Sequence, residues 1–155
     1  AYALEIARRM GARETFATSD ADEARDRAWV RSSGRGYDRV IEAVGSQEAL
    51  DLASALAAEY GRLVIAGYHQ DGPRRVDMQQ WNWRALDVVN AHERVTARYV
   101  SGVERAIAAI LAGEMDPFPL LTHELPLASI DAAFELARSR PDGFMKAIVR
   151  MGTSS

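Results

Sequence analysis

The 155-residue sequence contains no cysteine. Disulfide bonds and zinc sites built on thiolates are therefore excluded within these residues. No apolar run approaches the roughly 20 residues that a membrane-spanning helix requires. The first residues carry a helical pattern instead of the pattern of a signal peptide. We therefore expect a cytoplasmic protein that has no membrane partner.

A strong excess of charge of either sign is also lacking. Nineteen basic residues stand against 22 acidic ones, which gives a net charge of -3. The arginines are scattered and form no basic tract, so the sequence does not indicate a nucleic-acid-binding or polybasic membrane surface. Hydrophobic residues make up 48% and charged residues 26% of the chain. This composition is typical of a globular protein that can bury a core.

The glycine-rich fingerprint of dinucleotide-binding folds, G-x-G-x-x-G after a strand, does not occur. The chain begins with Ala1 and not with Met, directly on a helical pattern whose predicted apolar face is Ala3, Leu4, Ala7 and Met10. We interpret this start as a truncation or a processed end. The fingerprint, and the acidic residue that binds the adenosine ribose, would then lie before Ala1.

What the sequence does contain is an alternation of short apolar strands and helices. The pattern predicts strands at 14–18, 37–44, 62–66 and 86–90, helices at 20–31, from 47 to Gly61 and at 97–112, and then an extended stretch at 120–125, a helix capped by Ser129 and a closing strand at 144–151. Such an alternation is typical of a parallel sheet with helices on both faces. The predicted fold class is α/β, a Rossmann-type doubly wound parallel sheet that is incomplete at its N-terminal end.

Two predicted strand ends carry glycine, at Gly45 and at Gly67. In open α/β sheets, ligands bind outside the carboxyl ends of the strands, and glycine lets a flat ligand approach the backbone closely. For either glycine alone, a tight turn without a ligand is the better interpretation. Their occurrence on neighbouring strands of one sheet favours a ligand site.

Other residue types give weaker indications. His92 follows the predicted strand 86–90 and could transfer a proton, although a histidine in a surface loop is commoner. His69 and His123 are isolated in the sequence, and we assign them no function. Trp81 and Trp83 are predicted to share one face of a strand, where they would line a pocket, a subunit contact or the core. Lys146 interrupts the apolar closing strand and is expected to reach solvent, a carboxylate or a cofactor phosphate.

Taken in order, six segments resemble the medium-chain dehydrogenase/reductase superfamily, in the branch with sorbitol, threonine and related alcohol dehydrogenases. The segments are ALEIARRMGA, YDRVIEAVGSQEAL, GRLVIAGYHQ, DVVNAHER, DPFPLLTHELPL and FMKAIVRM. The resemblance implies the C-terminal portion of such an enzyme. Residues 1–116 would form part of the nucleotide-binding domain, residues 117–151 would return to a missing catalytic domain, and residues 152–155 would be a tail.

The resemblance also implies which positions bind NAD or NADP. Val44 and Gly45 belong to the strand end beside the nicotinamide ribose, and Gly67 and Tyr68 belong to the turn that meets the nicotinamide. The main chain of Asn90, Ala91 and His92 would bind the carboxamide, and Lys146 would be a basic residue near the pyrophosphate. No catalytic residue and no metal ligand is expected within the chain. A zinc ion of the parent enzyme would be held by the missing domain and would polarise the alcohol oxygen.

The function that follows from the resemblance is hydride transfer between a secondary alcohol or polyol and NAD or NADP. We expect the chain alone to be inactive, and the parent to form a homodimer or tetramer through the edge at 78–90. One alternative is another Rossmann-type enzyme such as a methyltransferase, with an adenosyl cofactor and an antiparallel end to its sheet. A further alternative is a non-catalytic domain that dimerises through its tryptophan-bearing edge.

Overall fold

A computed structural model describes residues 2–17 and 21–152. The described residues form six α-helices and five strands. In chain order they are α1 (Tyr2–Arg9), α2 (Ala21–Arg31), β1 (Tyr37–Glu42), α3 (Gln47–Leu56), β2 (Ala57–Ile65), α4 (Met78–Trp83), β3 (Asp87–Asn90), α5 (Thr96–Leu111), β4 (Leu121–Pro126), α6 (Ile130–Ser139) and β5 (Lys146–Arg150). The chain divides into two compact units. The three-stranded unit is Ala17–Thr96, and the two-stranded unit is Ala1–Phe16 with Ala97–Ser155.

The sheet of the three-stranded unit has the order β1-β2-β3, and both pairs of neighbouring strands are parallel. Helix α3 connects β1 to β2 and contacts both strands. The core lies between this helix and the sheet, where Leu50, Ala53 and Leu63 are buried against Val40 and Val88. The prediction of a parallel α/β sheet is confirmed. Because the strands are parallel, their carboxyl ends all lie at one edge of the sheet.

Helix α3 begins where the sequence predicts. The Ser46 side chain accepts a hydrogen bond of 3.1 Å from the backbone nitrogen of Ala49, which satisfies one of the unpaired donors of the first turn. Glu48 also lies in this turn, where the helix dipole stabilises a negative charge. The start of α3 is therefore held directly after the turn that contains Gly45.

Strand β2 begins earlier than predicted, because it runs through Gly61 instead of starting after it. Tyr60 has φ +58°, and the pairing with β1 shifts register between Tyr37 and Arg39. A Cβ atom on Gly61 would lie 2.8 Å from the carbonyl oxygen of Ala58. Gly61 is thus required by a bulge within β2 and does not mark the end of the preceding helix.

The prediction that Trp81 and Trp83 lie on a strand is wrong, since both belong to α4. Asp77 begins this helix, and its side chain accepts a hydrogen bond of 2.9 Å from the nitrogen of Gln80. Residues two apart on a helix point about 200° apart, so the two indole rings do not share a face. Trp81 packs against the core and its Nε1 donates to Ser54 Oγ at 3.2 Å, whereas Trp83 is 85% exposed.

The N-terminal segments differ from the sequence prediction in two respects. Residues 14–17 form neither a helix nor a strand, while residue 18 of the predicted strand and residue 20 of the predicted helix lie outside the described residues. In α1 the residue that is buried is Ile6. The predicted apolar face is wrong at Ala3, which is exposed, and at Met10, which is exposed and lies beyond the end of the helix.

In the two-stranded unit, β4 and β5 pair in parallel, and α6 connects them and contacts both. Strand β5 is shorter than the predicted closing strand at 144–151. Ser129 takes the N-cap position of α6, but its side chain makes no capping hydrogen bond. A short 3₁₀ helix, Leu127–Ser129, leads directly into α6 and replaces that cap. None of the helices in the described part of the chain has the length and apolar character needed to cross a membrane.

Candidate functional site

Seven of the eight candidate residues belong to the three-stranded unit. They occupy the carboxyl ends of its three adjacent strands: Val44 and Gly45 follow β1, Gly67 and Tyr68 follow β2, and Asn90, Ala91 and His92 end or follow β3. Lys146 belongs to the two-stranded unit, where it is exposed at the start of β5. The structure thus brings the first seven candidates to the edge at which ligands bind in open α/β sheets.

The two glycines allow the first two strand-end turns to pack against each other. Gly45 has φ +90°, and a Cβ atom on it would lie 2.7 Å from the carbonyl oxygen of Tyr68. A Cβ atom on Gly67 would lie 2.3 Å from the nitrogen of Gly45 and 2.4 Å from Glu42 Oε2. The space beside each glycine is therefore filled by the neighbouring turn. The tight-turn interpretation accounts for both glycines, and the site is formed by two turns in backbone contact.

Glu42 is the last residue of β1, and its carboxylate lies beneath these turns with no exposed side-chain surface. Oε1 accepts hydrogen bonds of 2.7 Å from the nitrogens of Val44 and Gly45. Oε2 lies 3.0 Å from His69 Nε2. Burial by itself would raise the pKa of Glu42, but the hydrogen bonds from Gly45, Val44 and His69 outweigh it and lower this pKa below its ordinary value of 4.5. Glu42 is therefore an ionised, buried anchor for the first turn.

His69 is not the isolated residue that its sequence context suggested. Arg74 Nε donates to its Nδ1 at 2.9 Å, while Arg74 Nη2 donates to the carbonyl oxygen of Gly45 at 2.7 Å and pairs with Asp71. A guanidinium group only donates hydrogen bonds, so Nδ1 of His69 must accept and its single proton must lie on Nε2, facing Glu42. His69 and Arg74 are each only 15% exposed.

This group of three residues was not predicted from the sequence. Glu42 and His69 lie 27 residues apart in the sequence, and His69 and Arg74 lie five residues apart. No short motif contains all three. One signal was present, namely an acidic residue within the mostly apolar predicted strand YDRVIEAV, two residues before its end. A buried carboxylate requires partners, and the turn after the next parallel strand is the nearest place to find them.

An aromatic and apolar surface adjoins these polar groups. The rings of Tyr68 and His92 stack with centroids 5.9 Å apart and planes 25° apart, and Tyr68 is 67% exposed. A cavity of about 310 Å³ between β1 and α3 includes Val44, Ala49 and Leu52 in its lining. Apolar surface beside a few fixed polar groups is the usual character of a small-molecule site.

The main chain after β3 is only partly available to a ligand. The nitrogen of Ala91 donates to the carbonyl oxygen of Ile65 at 2.9 Å, which extends the β2–β3 ladder by one bond. The amide of Ala91 is therefore already used by the sheet. A main-chain donor to a carboxamide in this segment therefore has to be a nitrogen other than that of Ala91.

A larger cavity, of about 830 Å³, lies at the amino ends of β1 and β2 beside residues 32–36. Arg84, one of three arginines in its lining, lies over the Trp29 ring at 5.3 Å and donates to the carbonyl oxygens of Ala55 and Ala57 at 2.9 Å. Ser32 Oγ accepts from the nitrogen of Gly36 and donates to the carbonyl oxygen of Trp29. These contacts of Arg84 and Ser32 stabilise the fold, and none of the eight candidate residues lines this cavity.

Within residues 2–17 and 21–152, no group of three or more histidine, aspartate or glutamate side chains is placed to hold a metal ion. Zinc requires three or four such ligands. The described residues therefore do not fit a zinc site.

Comparison with known proteins shows which family has this arrangement. Residues 1–108 match the family described as zinc-binding dehydrogenase. The chain is 31% identical over 115 residues to the 2-dehydro-3-deoxy-L-galactonate 5-dehydrogenase of Pseudoalteromonas atlantica, covering 74% of this chain and 32% of the relative. It is 29% identical to the L-threonine 3-dehydrogenase of Bacillus subtilis, covering 89% of this chain and 39% of the relative.

Among solved structures, the zinc-dependent alcohol dehydrogenase 2 from Streptococcus pneumonia in its apo form superposes with a TM-score of 0.85 at 26% identity. The match covers 98% of this chain and 42% of that protein. The chain therefore spans less than half the length of the relatives that it matches. These matches confirm the resemblance to the medium-chain dehydrogenase/reductase superfamily. Because the family match covers more than half of its residues, the chain belongs to the zinc-binding dehydrogenase family.

Proposed function

We propose that this chain is the cofactor-binding part of an oxidoreductase that transfers a hydride between a secondary alcohol or polyol and NAD or NADP. One observation carries the proposal: seven candidate residues lie together at the carboxyl ends of three adjacent parallel strands. Membership of a dehydrogenase family supports the same conclusion. The cofactor supplies the hydride chemistry, and the protein supplies binding and orientation.

The proposed role of each strand end follows from its exposed groups. Val44 offers apolar surface beside the cavity after β1. The stacked rings of Tyr68 and His92 offer a flat surface after β2 and β3, which suits an aromatic ring such as nicotinamide. Lys146 is exposed, and a cationic side chain suits a pyrophosphate, so we retain it as a proposed contact of the cofactor.

Titration of the full-length protein with NADH and with NADPH tests the proposal directly. We expect saturable binding of at least one of them, seen as energy transfer from tryptophan to the reduced nicotinamide. S-adenosylmethionine serves as the control, because a methyltransferase would bind it in preference. A folded sample that binds neither reduced cofactor, or that binds only the adenosyl compound, would contradict the proposal.

A matched pair of tyrosine variants locates the site. Tyr68→Ala removes the ring that stacks on His92 and should weaken cofactor binding. Tyr60→Ala removes another strongly exposed tyrosine, which lies in the bulge of β2 and away from the carboxyl end of that strand. Equal binding by both variants would remove the support for a site at Tyr68.

The activity belongs to the full-length protein in this proposal. We expect oxidation of secondary alcohols or polyols by the full-length protein and no oxidation by residues 1–155 alone. Measurable turnover by a purified sample of these residues would contradict the second expectation. The proposal includes a cytoplasmic location, which cell fractionation tests.

We also propose that the protein assembles as a homodimer or tetramer through residues 78–90. Strand β3 pairs with β2 on one side, and no other strand among those described pairs with its second side. An unpaired strand edge is a template for pairing with another chain, and Trp83 is exposed beside it. Light scattering of the full-length protein should give at least a dimer, and a monomer at micromolar concentration would contradict this.

A further inference from the structure

We propose that Glu42, His69 and Arg74 are positioning residues of the cofactor site, which hold the first two strand-end turns in the geometry that receives the cofactor. This inference rests on the proposed function and adds to it three residues that are not cofactor contacts themselves. Together with the backbone of Gly45 they form a closed ring of hydrogen bonds, which we call the turn ring.

The turn ring fixes both polar backbone groups of Gly45. Its nitrogen donates to Glu42 Oε1 at 2.7 Å, and its carbonyl oxygen accepts from Arg74 Nη2 at 2.7 Å. Gly45 has φ +90°, so its peptide geometry is set by these two partners and by contact with the neighbouring turn. Removing either partner leaves one side of this turn without its restraint.

His69 links the two turns across the sheet. Its Nε2 faces the carboxylate of Glu42 at the end of β1, and its Nδ1 accepts from Arg74. Both ring nitrogens are thus occupied by protein groups, so His69 has no nitrogen available to a substrate. It acts through the turns and is a positioning residue, not a catalytic one.

The turn ring reaches the third strand end through the neighbour of His69. Tyr68 directly precedes His69 and stacks on the ring of His92. A displacement of His69 therefore moves the residue that contacts the turn after β3. All three strand ends that carry candidate cofactor contacts depend on the same buried hydrogen bonds.

Burial explains why this group carries more weight than surface ion pairs. The Glu42 side chain has no exposed surface, and His69 and Arg74 are each 15% exposed. Hydrogen bonds to a buried charge are strong, and leaving such a charge without its partner is costly. In contrast, the Arg62–Asp87 pair of the same sheet is half exposed on both sides and contributes little.

Glutamine is the replacement that preserves both hydrogen bonds of His69. Its amide nitrogen can donate to Glu42, and its amide oxygen can accept from Arg74. Alanine can do neither. The inference therefore predicts that His69→Gln restores what His69→Ala loses, which a purely space-filling role for the imidazole would not predict.

The test compares five variants of the full-length protein by their dissociation constant for reduced cofactor, their cofactor KM and their kcat. His69→Ala and Arg74→Ala should raise the dissociation constant and KM about tenfold or more, as expected for loss of a hydrogen bond to a charged, buried group. His69→Gln should stay within about threefold of the wild type. At saturating cofactor, kcat should change less than KM, because the turn ring acts on binding geometry.

Two variants serve as controls. Arg75 adjoins Arg74, but its backbone makes its hydrogen bonds to Gln47, so Arg75→Ala keeps them. His123 lies in β4 of the other unit, where its ring contacts Thr122 and Phe144. Both Arg75→Ala and His123→Ala should bind cofactor as the wild type does.

A second measurement does not depend on the folding of any variant. Long-range proton–nitrogen NMR of the wild type should show His69 as the Nε2–H tautomer with an accepting Nδ1. The opposite tautomer would overturn the inference, and so would wild-type affinity in His69→Ala or equal losses in His69→Gln and His69→Ala. If the wild type itself binds neither NADH nor NADPH, the proposed function fails first and this inference fails with it. If the wild type binds the reduced cofactor and the variants bind it equally well, this inference is overturned but the proposed function is not.

Discussion

A Cβ atom on Gly67 would lie 2.3 Å from the backbone nitrogen of Gly45, closer than nonbonded atoms approach. Gly67→Ala must therefore push apart the two turns at the carboxyl ends of β1 and β2. Overpacking of this kind costs about 1–3 kcal/mol of stability. We expect urea denaturation of the full-length protein to show a loss in this range, together with weaker cofactor binding. An alanine variant with unchanged stability would show that the turns are farther apart than described.

Gly102→Ala should have the opposite effect, and it serves as the control. Gly102 lies inside helix α5, and a Cβ atom there would meet nothing within 4 Å. Alanine restricts the unfolded chain and favours the helix by about 0.5–1 kcal/mol relative to glycine. We expect a gain of this size in the free energy of unfolding. A loss would mean that another segment of the full-length protein packs against α5 at this position.

Acid should weaken the fold through Glu42. Because the pKa of Glu42 is lowered in the folded state, its ionised form contributes stability that is fully present above the ordinary value of 4.5. This contribution is lost as the pH falls below 4.5 and through the lowered folded-state pKa. The free energy of unfolding, measured by urea denaturation between pH 7 and pH 3, should therefore fall in this acidic range.

Glu42→Gln isolates this contribution from those of the other carboxylates. Asp71 and Glu124 also have lowered pKa values, because Arg74 and Arg150 donate hydrogen bonds to them, but both remain in the variant. The variant should be less stable than the wild type at pH 7, and the difference should shrink as the pH falls below 4.5. A difference that does not change with pH would contradict an ionised Glu42.

The sequence was sufficient to predict the alternation of strands and helices and the edge of the sheet that carries the candidate site. These features follow from local patterns, such as the apolar run before Gly45 and the Ser46 cap. The pattern failed at Trp81 and Trp83, which were predicted to share one face of a strand although Asp77 begins a helix there. The capping hydrogen bond and the contact of Trp81 with the core outweighed the apparent period of two.

The turn ring could not be predicted for a different physical reason. Its hydrogen bonds join the ends of two parallel strands, which a whole crossover helix separates in the sequence. Gly67 posed the same difficulty, because its need for space is set by Gly45, 22 residues earlier, and not by its own dihedral angles. Contacts of this kind depend on the register of β1 against β2, which no local pattern fixes.

Two serine residues occupy N-cap positions, and only one of them should matter for stability. Ser46 Oγ accepts a hydrogen bond from the nitrogen of Ala49 at 3.1 Å, whereas the Ser129 side chain makes no such bond. Ser46→Ala should therefore lower the free energy of unfolding by about 1 kcal/mol, and Ser129→Ala by less than about 0.5 kcal/mol. Because α3 begins directly after the turn of Gly45, Ser46→Ala should also weaken cofactor binding. Equal losses of stability in the two variants, measured by urea denaturation, would show that the cap of Ser46 contributes nothing specific.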